Sequence, residues 1–346
     1  MRIWKSVDKL VEGDIAEEEI ALAAGKAVVR VGERLTEDKI GLLKSLGIKW
    51  LLVDTTHIDG DIKGILHENF VSNMKQDIED IFTKVVEDGK IEYSKVEERA
   101  KTLSKNIMDN YGDYIVPVMA ILKNLDEYTY THEVNVAILS TLMGIELGLK
   151  EETMHTLATS ALIHDVGKLM VPQEILNARR KLSNLEFTEV KKHVVYGKQI
   201  CEESGLKDRA ILAGIEEHHE KMDGTGYMRG LKNGSIDLFA RIIAVADIYD
   251  ALTSERPYKP GWTPYKAFSF ILSIAGKHLD PRVVNGLIKV MGMYPAGTRL
   301  LLSNGREVVV VGIKRGYYTR PLVQDEEGNV IDLGQEKKLK IEKVLG

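Results

Sequence analysis

Seven side chains have types and spacing that could do chemistry: His132, His164, Asp165, His193, His218, His219 and Asp247. Six of the nine histidines fall between positions 132 and 219. His164-Asp165 closes an apolar run, ATSALIHDVGKL. His132 lies in EYTYTHEVNVAIL, His193 in KKHVVYG and His218-His219 in IEEHHEKMDG. Asp247 sits in IIAVADIYDAL, apolar enough to be core, where an ionised carboxylate is costly unless paired or bound to a metal. Arg241 is the candidate partner for a plain ion pair. Neighbouring residues project about 100° apart around a helix, so His218 and His219 on one helix would serve two adjacent ions, one each. Singly, each feature has a bland reading: a capped helix end, or one core and one surface histidine. Together they form a donor set of nitrogen and oxygen only, which suits iron, manganese, zinc or nickel and argues against copper(I) or iron–sulfur clusters. Seven donors exceed the four of one tetrahedral ion. Two octahedral ions sharing a carboxylate fit better. Such ions, about 3.5–4 Å apart, generate a hydroxide and clamp the attacking and leaving oxygens, which favours phosphoester hydrolysis.

The surrounding pattern is one of helices between short β regions. KAVVRVG (26–32) and WLLVD (50–54) read as strands, and LTEDKIGLLKSLG (35–47) as a helix with Thr36 as N-cap and Gly47 past its end. Residues 68–110 turn helical and look like a connector whose spacing is compatible with dimerisation. Helices are expected at 114–124, 127–148, 151–163, 186–204, 207–220, 238–253, 264–276 and 280–292. The strip Ile115, Val118, Met119, Leu122 reads as helix packing. After Pro295 the period becomes two. Asn304-Gly305 between β-rich runs signals a hairpin, and VQDEEGNVIDL reads as another strand-turn-strand. This gives an α+β multidomain chain. A small N-terminal α/β module (1–60) and a helical connector (61–112) precede an all-α catalytic domain (113–294) and a C-terminal β extension (295–346).

The chain has 346 residues, enough for about two domains and a sizeable core. Cys201 is the only cysteine, which excludes an internal disulfide and zinc sites built on several thiolates, and it reads as a buried small residue. MRIWKSVDKL lacks the apolar run of a signal peptide, and no window suggests a membrane span, so a cytoplasmic protein is expected. The net charge of −5 argues against a nucleic-acid polymer as partner. The first 112 residues hold 17 basic and 22 acidic groups, so the acidity lies mostly away from the histidines.

These residues resemble the HD superfamily of metal phosphohydrolases, and within it the HD-GYP domain, a bacterial phosphodiesterase of cyclic di-GMP. The order H…HD…H…HH…D is matched by the seven residues above. HHEKMDGTGYMRGL (218–231) is similar to the family's HHE-xx-DGxGYP-xGL signature, and ARIIAVADIYDALTSERPYK (240–259) follows the family pattern almost throughout. The resemblance covers roughly 120–293. It implies that the seven residues are metal ligands, with Asp165 bridging two ions, and that Asp165, Lys168 and His164 are catalytic. Iron or manganese is the expected metal. Lys168 would reach the scissile phosphate. Asp250, Arg256 and Lys259 match positions that contact guanine or phosphate, and Asp223, Gly224, Gly226 and Tyr227 would shape the site's mouth. A hydroxide bridging the ions would open cyclic di-GMP to linear pGpG, with further cleavage to GMP known in the family.

Three departures stand out. The signature proline is Met228, in a loop thought to offer a partner surface. The position of a third-metal glutamate, four before His132, is Tyr128, with Glu127 beside it, which favours two ions over three. His278 precedes Leu279-Asp280-Pro281 where relatives carry an aromatic, and reads as structural, as do His57, His67 and His155. The alternatives are another cyclic dinucleotide, such as cyclic GMP-AMP, as substrate, and a non-catalytic cyclic di-GMP receptor.

Overall fold

The computed structural model describes residues 2–21, 27–54, 66, 68–111, 114–115, 128–254 and 261–345. The chain begins with three antiparallel strands in the order β1-β5-β2: β1 (Arg2–Ser6), β2 (Ile15–Ala16) and β5 (Trp50–Asp54). A small β3–β4 pair (Ile20–Ala21, Ala27–Val29) and α1 (Glu37–Ser45) complete this unit around Val7, Leu35, Leu43, Leu51 and Val53. The helix starts after Thr36, whose extended backbone suits an N-cap although its side chain makes no capping bond. Gly47 takes φ +71 just past the helix end, where a side chain would be strained.

The segment read as a connector forms α2 (Glu68–Asp88) and α3 (Tyr93–Asn110). Their apolar stripes, including Val71, Met74, Ile78 and Val85, then Val96, Ala100, Leu103 and Ile107, join the same core as the site helices. Those faces are thus covered within the chain. Tyr114–Ile115, expected to open a helix, instead forms β6 and pairs with Ile313 and Lys314 of the C-terminal sheet. Val118, Met119 and Leu122 lie outside the described residues, as do His57 and His67.

The helical body follows: α4 (Tyr128–Glu146), α5 (Glu151–Leu162), a 3-10 turn (Val166–Met170), α6 (Gln173–Leu176), α7 (Asn184–Lys191), α8 (His193–Glu203), α9 (Arg209–Glu217), α10 (Leu238–Thr253), α11 (Pro264–Ile274) and α12 (Pro281–Met291). The helix expected over 186–204 is two, α7 and α8, broken at Lys192. Their starts are legible in retrospect: Ser183 and Glu186 form a capping box, and Asp208, Asp237 and Asp280 cap α9, α10 and α12. Helices α4 and α10 are buried on nearly every side, as central helices must be.

The expected C-terminal β region is a sheet in the order β10-β9-β8-β7-β11, with β6 on β8. Its strands are β7 (Arg299–Leu302), β8 (Glu307–Lys314), β9 (Leu322–Gln324), β10 (Val330–Asp332) and β11 (Ile341–Val344). Asn304-Gly305 turns the β7–β8 hairpin, with Gly305 at φ +81. The N-terminal unit contacts this sheet, since Ser6 donates to the Glu326 carbonyl and Lys49 pairs with the Glu326 carboxylate at 2.9 Å. The chain is α+β. No helix among the described residues is long and apolar enough to cross a membrane.

Candidate metal centre

Three of the histidines stand at helix ends, where carbonyls lack intrahelical partners. His164 follows α5 and donates Nδ1–H to the Ala161 carbonyl at 2.8 Å. His193 follows α7 and donates to Val190 O at 2.7 Å, and His218 caps α9 and donates to Ile215 O at 2.9 Å. Each imidazole thus meets a carbonyl three residues earlier. A fourth, His132 on α4, has Nδ1 2.7 Å from Asp250 Oδ2. With Nδ1 engaged, the rings of His164, His193 and His218 keep Nε2 for a common centre that His132 Nε2 also faces, the usual way a protein fixes ligating histidines.

Asp165, between α5 and the 3-10 turn, is the middle of that centre. Its Oδ1 lies 3.2 Å from His193 Nε2 and 3.7 Å from His218 Nε2. Its Oδ2 lies 3.5 Å from His164 Nε2 and 3.8 Å from His132 Nε2, and pairs with Lys168 Nζ. The donors fall into two groups that share this carboxylate, Asp165-His193-His218-His219 and His132-His164-Asp165, each with its ligand atoms within 4.8 Å of one another. Asp247 Oδ1 stands 3.2 Å from His132 Nε2, and its Oδ2 4.0 Å from His219 Nδ1. Arg241 does not neutralise it, because Arg241 pairs with Asp280 at 2.7 Å. All seven expected ligands therefore meet.

His218 and His219 fall in one donor group rather than one in each. Helix α9 ends at Glu217, so the 100° separation of neighbours on a continuous helix does not apply to them. Their rings lie 4.1 Å apart.

The fit to cations rests on atoms left without other partners. His164 Nε2, His193 Nε2, His218 Nε2 and Asp165 Oδ1 are buried and make no hydrogen bond. Such groups are rarely left unsatisfied, and here they converge on two points. Protein charges alone also polarise the cluster. Burial lowers the His164 pKa, but Glu133 and Asp165 outweigh it and raise it to about 9. Burial, then neighbouring histidines, hold His218 well below the ordinary value, and burial takes His219 down to about 4. Burial opposes the charge of Lys168, but Asp165 and Asp247 overcome it and hold the ammonium above its usual range.

The structure moves two of the residues expected at the substrate. Asp250 is 2% exposed and accepts from His132, from Asn135 Nδ2 at 2.7 Å and from Ser254 Oγ at 3.1 Å, so it lies behind a ligand rather than at the mouth. Asp223 is tied into its own turn by Thr225 N and Oγ1, with His278 Nε2 at 3.6 Å. Tyr227 does sit at the centre, its ring 4.8 Å from that of His219. Gly226 permits this: a Cβ there would lie 2.5 Å from Glu220 Cα and Lys221 N. Gly224 takes φ +80 in the same loop. Lys168 reaches Asp165, and Arg256 and Lys259 lie outside the described residues, as do Glu127 and the Tyr128 side chain.

Sequence reasoning passed over Glu133, Asn135, Glu217 and Glu220. Glu133 Oε2 stands 2.9 Å from His164 Nδ1. Glu220, 4% exposed, accepts from the backbone N–H groups of Arg229, Gly230 and Leu231 and clamps the signature loop. Glu217 accepts from Asp237 N at 2.8 Å and joins α9 to α10. A signal existed for the first two: Glu133 and Asn135 are polar residues in a stretch of helix that is otherwise largely apolar and buried from Thr131 to Gly144. Cys201 and His155 are structural, Cys201 buried and His155 bonded to Ser104 Oγ at 2.6 Å.

Two donor groups share one carboxylate, that of an HD pair, and known proteins carry a matching segment. Residues 116–283 match the model of the HD domain. The chain is 39% identical over 190 residues to a cyclic di-GMP phosphodiesterase of Pseudomonas aeruginosa, covering 55% of this chain and 46% of the relative. Over 189 residues it is 36% identical to the 3'3'-cGAMP-specific phosphodiesterase 3 of Vibrio cholerae, covering 54% and 41%. The chain thus spans less than half the length of these two curated relatives. A solved structure, the HDG"Y"P protein from Bdellovibrio bacteriovorus, shares the fold with a TM-score of 0.52 at 18% identity, over 83% of this chain and 98% of that one.

Proposed function

We propose that this chain is a metal-dependent phosphodiesterase that opens cyclic di-GMP to linear pGpG. The observation that carries the reading is Asp165, whose two oxygens each face a separate group of histidine nitrogens, those of His164, His193 and His218 making no hydrogen bond. Two divalent ions, iron or manganese, would be held by His132, His164, Asp165, His193, His218, His219 and Asp247, and would supply an activated water and Lewis acidity towards phosphate.

The chain's own groups do the remaining work. The carbonyls of Ala161, Val190 and Ile215 and the Asp250 carboxylate hold the four rings in place, so little reorganisation opposes binding. Lys168, held by Asp165 with its side chain 40% exposed, keeps a cation beside the reacting phosphate and stabilises the charge that develops there. Tyr227 covers His219 and screens that side of the site from water. Arg256 and Lys259 are assigned to guanine or phosphate by their motif positions. Relatives named for cyclic di-GMP and for 3'3'-cGAMP support a cyclic dinucleotide and make both substrates part of the test.

Protein purified without oxygen is analysed for metal and assayed on both cyclic dinucleotides by chromatography of the products, beside Asp165→Ala. The expected result is two ions per chain, pGpG as the first product, and loss of both in the variant. Turnover that survives Asp165→Ala refutes the mechanism. Tight nucleotide binding without turnover under any metal favours a receptor instead.

A further inference from the structure

One side of the metal centre carries a layered arrangement whose outer half, Phe187 and Lys191, the proposed chemistry does not use. Phe187 and Lys191 stand one turn apart on α7, the helix that ends just before His193. Lys191 Nζ lies 4.8 Å from the Phe187 ring centroid and 5.5 Å from that of Tyr227. Tyr227 in turn lies against His219, the two rings inclined by 32°. A row His219–Tyr227–Lys191–Phe187 therefore leads from a ligand to solvent, where Phe187 is 49% exposed.

Lys191 differs from its neighbours in charge balance. Lys192 pairs with Glu189 at 2.7 Å and Lys198 with Glu216 at 2.9 Å. Among the described residues no carboxylate stands within ion-pair reach of Lys191. Its charge rests on two ring faces, which leaves it available to an anion. A cyclic dinucleotide has two phosphates and two purines, and the ions engage only one phosphate.

We propose that Phe187 and Lys191 form a second nucleotide subsite, with Phe187 offering its ring to a purine and Lys191 meeting the phosphate that is not cleaved. This rests on the phosphodiesterase reading above. Because these contacts lie away from the reacting bond, they bind ground and transition states alike and act on KM rather than kcat.

The test compares wild type with Phe187→Leu, Phe187→Tyr, Lys191→Met and Lys191→Arg on cyclic di-GMP, with thermal melts as a check on folding. Phe187→Leu and Lys191→Met should each raise KM about 5- to 100-fold, the size of losing one stacked base or one charge contact, with kcat nearly unchanged. Phe187→Tyr and Lys191→Arg should restore it. Wild-type KM in Phe187→Leu, a fall in kcat at constant KM, or failure of the conservative variants to rescue overturns the subsite. Binding of a non-hydrolysable phosphorothioate analogue of cyclic di-GMP separates the two ideas. If wild type binds the analogue without turning over the nucleotide, the phosphodiesterase reading fails, and dependence of that binding on Phe187 and Lys191 still upholds the subsite. If wild type binds nothing, both fail.

Discussion

Replacing Asp250 by asparagine separates a role behind the metal ligands from a role at the substrate. The carboxylate is buried and has three donors, His132 Nδ1 and Asn135 Nδ2 at 2.7 Å each and Ser254 Oγ at 3.1 Å. Asp250→Asn keeps the shape and removes the charge. The bond to His132 changes from charge-assisted to neutral, a loss of about 1–2 kcal/mol within the range for such bonds. The ring then donates less electron density through Nε2 and is less firmly held. Loss of a partner behind a ligand typically weakens metal binding about 10- to 100-fold, or about 1.4–2.8 kcal/mol, which agrees with the hydrogen-bond figure. Titration of the stripped protein with manganese, followed by calorimetry, measures it. KM for cyclic di-GMP at saturating metal should stay near the wild-type value. A raised KM with unchanged metal affinity would refute the reasoning and return Asp250 to the substrate. Loss of thermal stability with unchanged metal affinity would make it purely structural.

Four further outcomes follow from the structure. Metal loading should release protons and strengthen as pH rises from 7 to 9, because His164, raised to about 9, must lose its proton before Nε2 can bind. Calorimetry in buffers of different ionisation enthalpy counts those protons, and a pH-independent affinity would contradict the assignment. By the same sign, the stability that protonated His164 lends the stripped protein is fully present below pH 6.5 and is lost as pH rises through about 9. Gly167→Ala should destabilise the fold by about 3 kcal/mol or more, seen as a lower Tm, because a Cβ there overlaps the backbone of His193 and Gly197 and rigid backbone cannot yield. Cys201 should resist thiol reagents at pH 8 in the native protein and react only on unfolding, since burial pushes its thiol up to about 12.

How far the site was legible depends on what each residue needed. The seven converging donors were readable because a histidine or aspartate in an apolar run is costly without a purpose, whatever the tertiary arrangement. The capped helices and the Asn304-Gly305 hairpin were readable because turn and cap chemistry is local. Asp250 was not: the same motif position suits a substrate contact or a ligand's support, and only the packing of α10 against α4 puts it under His132. What the connector helices pack against was not legible for a similar reason. An amphipathic stripe states that a face will be buried but not against what, and here α2 and α3 cover the core behind the site helices. Tyr114–Ile115 became a strand because it pairs with the end of β8, nearly 200 residues away.

The sequence by itself determined the chemistry available: hard and borderline donors in a cluster, one lysine beside the HD pair, and helices long enough to carry them. Tertiary structure alone decided how that chemistry is divided. Helix ends, not helix faces, present His164, His193 and His218, so their free nitrogens converge on opposite sides of Asp165. Side-chain type is written residue by residue, but the direction of an Nε2 lone pair depends on where each helix stops and what accepts the other nitrogen. The packed helices settle both.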